Sequence, residues 1–374
     1  MIEAQSGPAA LTAVGRRPGL AVVMIAVVAM AAAGAMLVAL NAAHLGAGDA
    51  VLGLVVSTLP APLLVGLVLA LDRFEPEPRG ILALTFLWGA TVAALFATVV
   101  NTAGGDLVAG KFGSRAANVF VVSVSAPIVE EVLKGAALLV LYRVARRELN
   151  GIVDGIIYAG VVGLGFAVGE NVHYYGSAAA SGDVVLTIAV RGILSPFAHP
   201  LFSVPMGIGF AIAASPLGRG RMVPAALGLL ASIVVHSAWN STFLLTLPAL
   251  VAVVLVVFVP AFFGVLVLVR RGLEREGELV RTQLLPEVGR TLTTEEVEAL
   301  SSVRGRRALL RSVAARGPTV RRAARDLCHV ASELAFHREQ AASDARPDDS
   351  ARDARLVARL EQNHRALALD QGGP

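Results

Sequence analysis

The sequence predicts an all-α, polytopic membrane protein with about eight transmembrane helices and a small cytoplasmic helical tail. Three observations predict it. Of the 374 residues 55% are hydrophobic, and the mean hydropathy is +0.69, a composition that belongs in a bilayer rather than in a soluble domain. Apolar runs of about 20 residues, the length that crosses the hydrocarbon, recur up to residue 270. From residue 271 the chain turns polar and rich in Arg, Ala and Leu. The expected division is a transmembrane domain over 1–270 and a cytoplasmic helical tail over 271–374.

Eight runs qualify as spans: roughly 19–40, 50–71, 80–101, 117–142, 152–172, 185–214, 222–246 and 249–270. The first is too long for the core of a cleaved signal, and further spans follow it, so it reads as an uncleaved helix. The sixth holds Pro196, Pro200 and Pro205, which kink or break a helix by removing N–H donors. The eighth has no charge until Arg270.

Loop charge alternates along the chain. One set of loops carries Arg16 and Arg17, Arg73 and Arg79, Arg143, Arg146 and Arg147, Arg219 and Arg221, then Arg270, Arg271 and Arg275. The other carries only Lys111 and Arg115. Positive loops stay inside, so both termini are expected in the cytoplasm of a cell-membrane protein. An even number of spans requires the same. A net charge of +4 gives no basic half suited to nucleic acid. The single cysteine, Cys328, excludes an intrachain disulfide and a thiolate metal cluster.

In the tail, Thr293 and Glu296 form a capping box opening a helix toward Arg316. Pro318 suits a first helical turn. Val320, Ala324, Leu327, Ala331 and Leu334 follow at helical spacing. Residues 343–350 read as a linker before a last short helix, and His329, His337 and His364 as solvated.

The chemistry lies in polar residues inside the spans. A carboxylate at the bilayer centre costs at least ~2.5 kcal/mol and persists where it faces a protein interior or wet cavity. Glu130 and Glu131 are adjacent in the fourth run, with Lys134 one turn on. Neighbouring helical residues point about 100° apart, so one glutamate can face a shared cavity while the other flanks it. Lys134 is in reach of either. Glu170 and Asn171 end the fifth run. Arg191, Ser195 and His199 form a polar stripe in the sixth, and His236 and Asn240 share a face of the seventh. By span direction, the four clusters can meet in the central-to-outer half of the membrane. Glutamates, imidazoles and an amide supply a base for water, a donor for an oxyanion and an acid for a leaving amine.

Four motifs in this order, Glu-Glu-x-x-Lys at 130–134, Phe-Ala-x-x-Glu-Asn at 166–171, His-Pro-Leu-Phe-Ser at 199–203 and His-x-x-Trp-Asn at 236–240, resemble the PrsW family of membrane proteases. Asp-Arg-Phe-Glu-Pro-Glu-Pro at 72–78 resembles that family's early loop, so the likeness spans about 70–245. The family is related to the CAAX prenyl endopeptidases and their bacterial relatives. Their shared Phe-x-x-x-His motif is here Phe166-x-x-x-Glu170, without the histidine, which opens the question whether His199 supplies the imidazole. The resemblance implies an intramembrane endopeptidase acting on a membrane-protein substrate, an anti-sigma factor among the implied targets.

The expected assignments follow. Glu130 or Glu131 is the general base, acting with His236. Asn240 or Asn171 steadies the oxyanion, and Lys134, Asn171 and Arg191 support the site. His199, His236 and Glu170 are candidate ligands of a divalent metal such as zinc, against a metal-free Glu/His pair as the other solution. A non-catalytic membrane chaperone or scaffold of the same fold, and an ion-coupled carrier, are the competing functions.

Overall fold

The computed structural model describes residues 19–194, 196–215, 218, 221–242, 244–344 and 349–368. Arg16, Arg17, Ser195 and Arg219 lie outside the described residues. The protein is all-α; among the described residues the only bridge joins Val288 and Leu292. Eight helical rods precede the tail. They are α1 (Leu20–Leu45), α2 (Ala47–Leu69), α3 (Arg79–Phe112), α4 (Ala126–Val144, preceded by Ser114–Phe120), α5 (Ile152–Ser181), α6 (Ala198–Ala214), α7 (Val223–Thr242) and α8 (Pro248–Glu287).

Six of these, α1, α2, α3, α5, α7 and α8, are long and apolar enough to cross a membrane. The other two rods, α4 and α6, are the fourth and sixth expected runs. The fourth run carries Glu130, Glu131 and Lys134, which dilute its apolar window. The sixth is divided: helical turns at Val184–Leu194 give way to a turn at 196–197 before α6 begins. Pro196 cannot continue the helical hydrogen bonding. Arg191 and His199 therefore lie on separate helical pieces, not on one continuous stripe.

Helix α5 is the axis of the molecule. Its apolar window is 94% buried, against 11% for α1 and 6% for α8, so α1 and α8 give their apolar surface to lipid while α5 gives its to protein. Small residues allow this. A Cβ on Gly155 would come within 2.3 Å of the Gly207 carbonyl oxygen, and one on Gly207 within 2.1 Å of that of Gly155. Backbone-to-backbone packing of α5 on α6 needs glycine at both positions. Around it pack Leu138, Leu141, Tyr158, Met206 and Phe210.

Beyond residue 270, α8 continues to a 3-10 turn at Leu285–Glu287, and α9 (Thr294–Leu300), α10 (Val303–Ser312), α11 (Pro318–Asp344) and α12 (Asp349–Ala368) follow. The Thr293 capping box forms, with Thr293 N donating to Glu296 and Glu296 N to the Thr293 hydroxyl. The helix it opens ends at Leu300 and restarts after the Ser302 cap, so one expected helix is two. Val320, Ala324, Leu327, Ala331 and Leu334 are buried as their spacing predicts. The last helix is 20 residues long because Leu356, Leu360 and Leu367 all pack into the core. Not all the tail histidines are solvated: His337 is buried, and His364 pairs with Glu296 at 2.8 Å.

Candidate active site

The polar residues of α4, α5, α6 and α7 converge on one buried cluster. Pro127 lies in the first turn of α4, and Trp88 Nε1 of α3 donates to the Leu133 carbonyl (2.9 Å). That fixes the rotation of α4. Glu131 then has a full set of partners. Lys134 Nζ donates to its Oε1 (2.7 Å), His236 Nδ1 lies 2.8 Å from the same oxygen, and the Ser203 hydroxyl donates to Oε2 (3.2 Å). Lys134 and Glu131 are completely buried, so each is the other's principal charge compensation.

Glu130 differs. Its Oε2 is buried and has no hydrogen-bond partner among the described residues. It lies 3.8 Å from His236 Nε2. Because His236 Nδ1 gives its proton to Glu131, Nε2 carries a lone pair. Two acceptors thus face one another across 3.8 Å, a spacing that suits a shared donor or cation. Phe202 stacks on the His236 ring at 4.5 Å and 24°, which holds that orientation.

His199 sits at the start of α6. A Cβ on Gly163 of α5 would come within 2.8 Å of the His199 carbonyl group, so the close approach of the two backbones sets its position. Lys134 Nζ is 3.1 Å from Nδ1. An ammonium only donates, so Nδ1 accepts and the Nε2 proton points to Glu170 Oε2, 3.0 Å away. The His199 and His236 rings meet edge-on at 5.3 Å.

Toward the more open side, Arg191 binds Glu170 and donates from Nε to Asn171 Oδ1 (2.6 Å), with its guanidinium 3.6 Å over the Tyr174 ring. Asn240 lies one turn beyond His236 and is half-buried; among the described residues it makes no hydrogen bond to the cluster. Glu130, His199 and His236 offer ligand atoms all within 4.8 Å of one another. Glu170, expected among the ligands, pairs with Arg191 and His199. Phe202 and Ser203 enter the sequence reading only within the 199–203 motif, with no role assigned, and Tyr174 not at all. The His199–Ser203 interval of four residues is the signal that could have found Ser203.

A family model described as PrsW family intramembrane metalloprotease matches residues 77–265. The chain belongs to this family. Protease PrsW of Clostridioides difficile (strain 630) is 30% identical over 149 residues, 39% of this chain and 60% of that protein. Protease PrsW of Geobacillus kaustophilus (strain HTA426) is 33% identical over 141 residues, 37% of this chain and 56% of that protein. The chain spans about three-fifths of the length of these curated relatives. No solved structure matches it. The PrsW-family match begins at Glu77 and ends within α8, so the helices α9–α12 lie outside it.

Proposed function

We propose that this PrsW-family chain is an intramembrane endopeptidase of the cell membrane, with both termini in the cytoplasm, that cuts a single-span membrane protein. The supporting observation is the unpartnered Glu130 Oε2 facing the His236 Nε2 lone pair across 3.8 Å. In this reading Glu130 is the general base that takes a proton from the attacking water. His236 orients that water through Nε2, and Glu131 holds the imidazole by its Nδ1 proton. Glu131 is thereby a positioning residue, and of the two glutamates this reading takes Glu130 as the base. Lys134 compensates the Glu131 carboxylate and holds His199 in the tautomer that donates toward Glu170. The open side supplies the oxyanion donors: Arg191 engages the Asn171 carbonyl oxygen, leaving the Asn171 amide protons for a substrate carbonyl.

The donor set fits a divalent metal. Glu130, His199 and His236 would hold an ion such as zinc, whose contribution when bound is to acidify a water and polarise the scissile carbonyl. Glu130 and His236 present free lone pairs as they stand; His199 would exchange its proton contact with Glu170 for the ion. An anti-sigma factor is the substrate class that the family resemblance favours.

The test is cleavage of a panel of single-span membrane proteins by the purified chain in bilayers. Glu130→Gln is expected to lower the rate by about 10²–10⁴-fold, the range of a lost general base. Chelator sensitivity, reversed by added metal, would separate the two versions of the site. A Glu130→Gln protein that cleaves as well as wild type would sink the assignment.

A further inference from the structure

The tail does not pack separately from the membrane domain. Phe74, in the 72–78 loop between α2 and α3, is 1% exposed and belongs to the core of the tail with Val280, Leu284, Leu300 and Leu327. Arg306 of α10 lies 4.3 Å over its ring. The same guanidinium donates to the Leu300, Phe74 and Ser332 oxygens at 2.6, 3.3 and 2.7 Å. A loop residue is thus enclosed by the tail as a plug.

Beside this plug five carboxylates share one seam, Glu77 and Asp154 buried and Asp72, Glu75 and Glu276 half-buried. Asp72, Glu75 and Glu77 come from the loop, Asp154 from the first turn of α5 and Glu276 from α8. Glu77 N donates to Asp72 Oδ2 (2.9 Å), Asn150 Nδ2 to Glu75 Oε2 (3.0 Å) and the Tyr158 hydroxyl to Glu77 Oε2 (2.6 Å). Asp154 Oδ2 accepts from Asn150 N and Gly151 N. A Cβ on Gly151 would lie 3.5 Å from both Asp154 Oδ2 and Glu276 Oε1. Glu148 and Glu333 add negative charge near Glu75. The positive groups are few. Arg73 is exposed beside Asp72, and Arg306 spends its donors on neutral oxygens.

We propose that this seam is a proton-dependent clasp between tail and membrane domain, with Phe74 as its plug and Asp72, Glu75 and Glu77 as its sensing groups, and that opening it lowers the activity of the site. Glu77 and Asp154 hold the first turns of α5 through Tyr158 and the Gly151 amide. The same helix carries Phe166, Glu170 and Asn171 into the cluster, so the clasp bears on the element that builds one wall of the site. The effect on activity rests on the peptidase reading; the docking itself does not.

Chemistry sets the direction. Burial pushes Asp72 up to about 6, Glu75 to about 7 and Glu77 to about 11, with neighbouring carboxylates adding to the rise at Glu75 and Glu77. Each folded-state value lies above the ordinary one, so the docked form holds protons that the open form releases. Docking is therefore strongest below the ordinary carboxylate range and weakens as pH rises through about 6 and 7.

The experiment uses the full chain in bilayer discs, with Cys328 replaced by alanine and spin labels on cysteines placed at exposed Arg143 and Arg325. The interlabel distance distribution is recorded from about pH 5.5 to about pH 8.5. One released proton changes the docked-to-open ratio by up to about 10-fold per pH unit, so the docked fraction is expected to fall at least 10-fold over the range. Asp72→Asn/Glu75→Gln/Glu77→Gln, which mimics the protonated groups, should stay docked throughout. Phe74→Asp should be open at every pH. A distribution that does not respond to pH, or a response that survives in this triple amide variant, overturns the clasp. Peptidase turnover at about pH 8.5 tests the control: the docked amide variant should exceed wild type, and equal turnover overturns that half while leaving docking measured.

Discussion

At the residue scale, the adjacent glutamates have unequal surroundings. Glu131 is enclosed by Lys134, His236 and Ser203, whereas Glu130 keeps a bare oxygen. The pair is legible in the sequence as an ionic oddity in an apolar run. Its division of labour is not, because Lys134 is three residues from one and four from the other, and both spacings permit contact. The rotation of α4 against α6 and α7 decides. The consequence is a stability coupling. Lys134→Met leaves a buried carboxylate uncompensated, and breaking a buried pair costs about 3–5 kcal/mol. Lys134→Met/Glu131→Gln removes both charges and should recover much of that loss in thermal unfolding. Additive losses would show the two side chains to be independent. On activity, Glu131→Gln alone should cost about 10–100-fold, the range for a group that orients a catalytic imidazole.

At the element scale, the site depends on how closely α5 approaches its neighbours. The run 152–172 is legible from hydropathy, but its central place is not. A helix that is apolar on all sides fits lipid and protein interior equally well, and only its density of glycines hints at the latter. The divided sixth run is anticipated by three prolines, although the position of the break needs the turn at 196–197 to be seen. The π-helical turns at Trp88–Ala93, Val121–Ser125 and Val254–Phe258 leave no trace in residue periodicity. They nonetheless place Trp88, Ser123 and Phe258 against α4, Ser237 and Trp239 respectively. Gly163→Ala tests the close approach: its Cβ would lie 2.7 Å from Pro200 N, so the start of α6 must shift and carry His199 with it. A displacement of about 1 Å costs on the order of 10²-fold in rate. The protein should still fold and cleave about 10²-fold more slowly, while Gly66→Ala, which meets nothing within 4 Å, should cleave normally. Equal rates for the two would mean that His199 is held by something other than this packing.

At the scale of the whole molecule, the division near residue 270 marks a change of composition rather than a break in the structure. α8 runs through it to Leu284, and the tail's core is completed by Phe74 from the loop between α2 and α3. Sequence separation hides this: Phe74 stands among Asp, Arg, Glu and Pro, where a lone aromatic reads as a loop residue, and its partners are about 200 residues away. The plug makes a specific demand on stability. Phe74→Ala removes a fully buried ring and leaves a cavity, worth about 3–5 kcal/mol. That loss should fall on the tail, because Val280, Leu284 and Leu300 lose a packing partner while the α5–α6 contact at Gly155 and Gly207 is untouched. Hydrogen exchange on the intact chain reads the two separately. Amides of α11 should exchange faster by about the factor that the lost free energy implies, 10² or more, and those of α5 beyond Tyr158 should keep their protection. Uniform acceleration in both helices would instead mean that tail and membrane domain unfold as a single cooperative unit, with the plug as part of one continuous core.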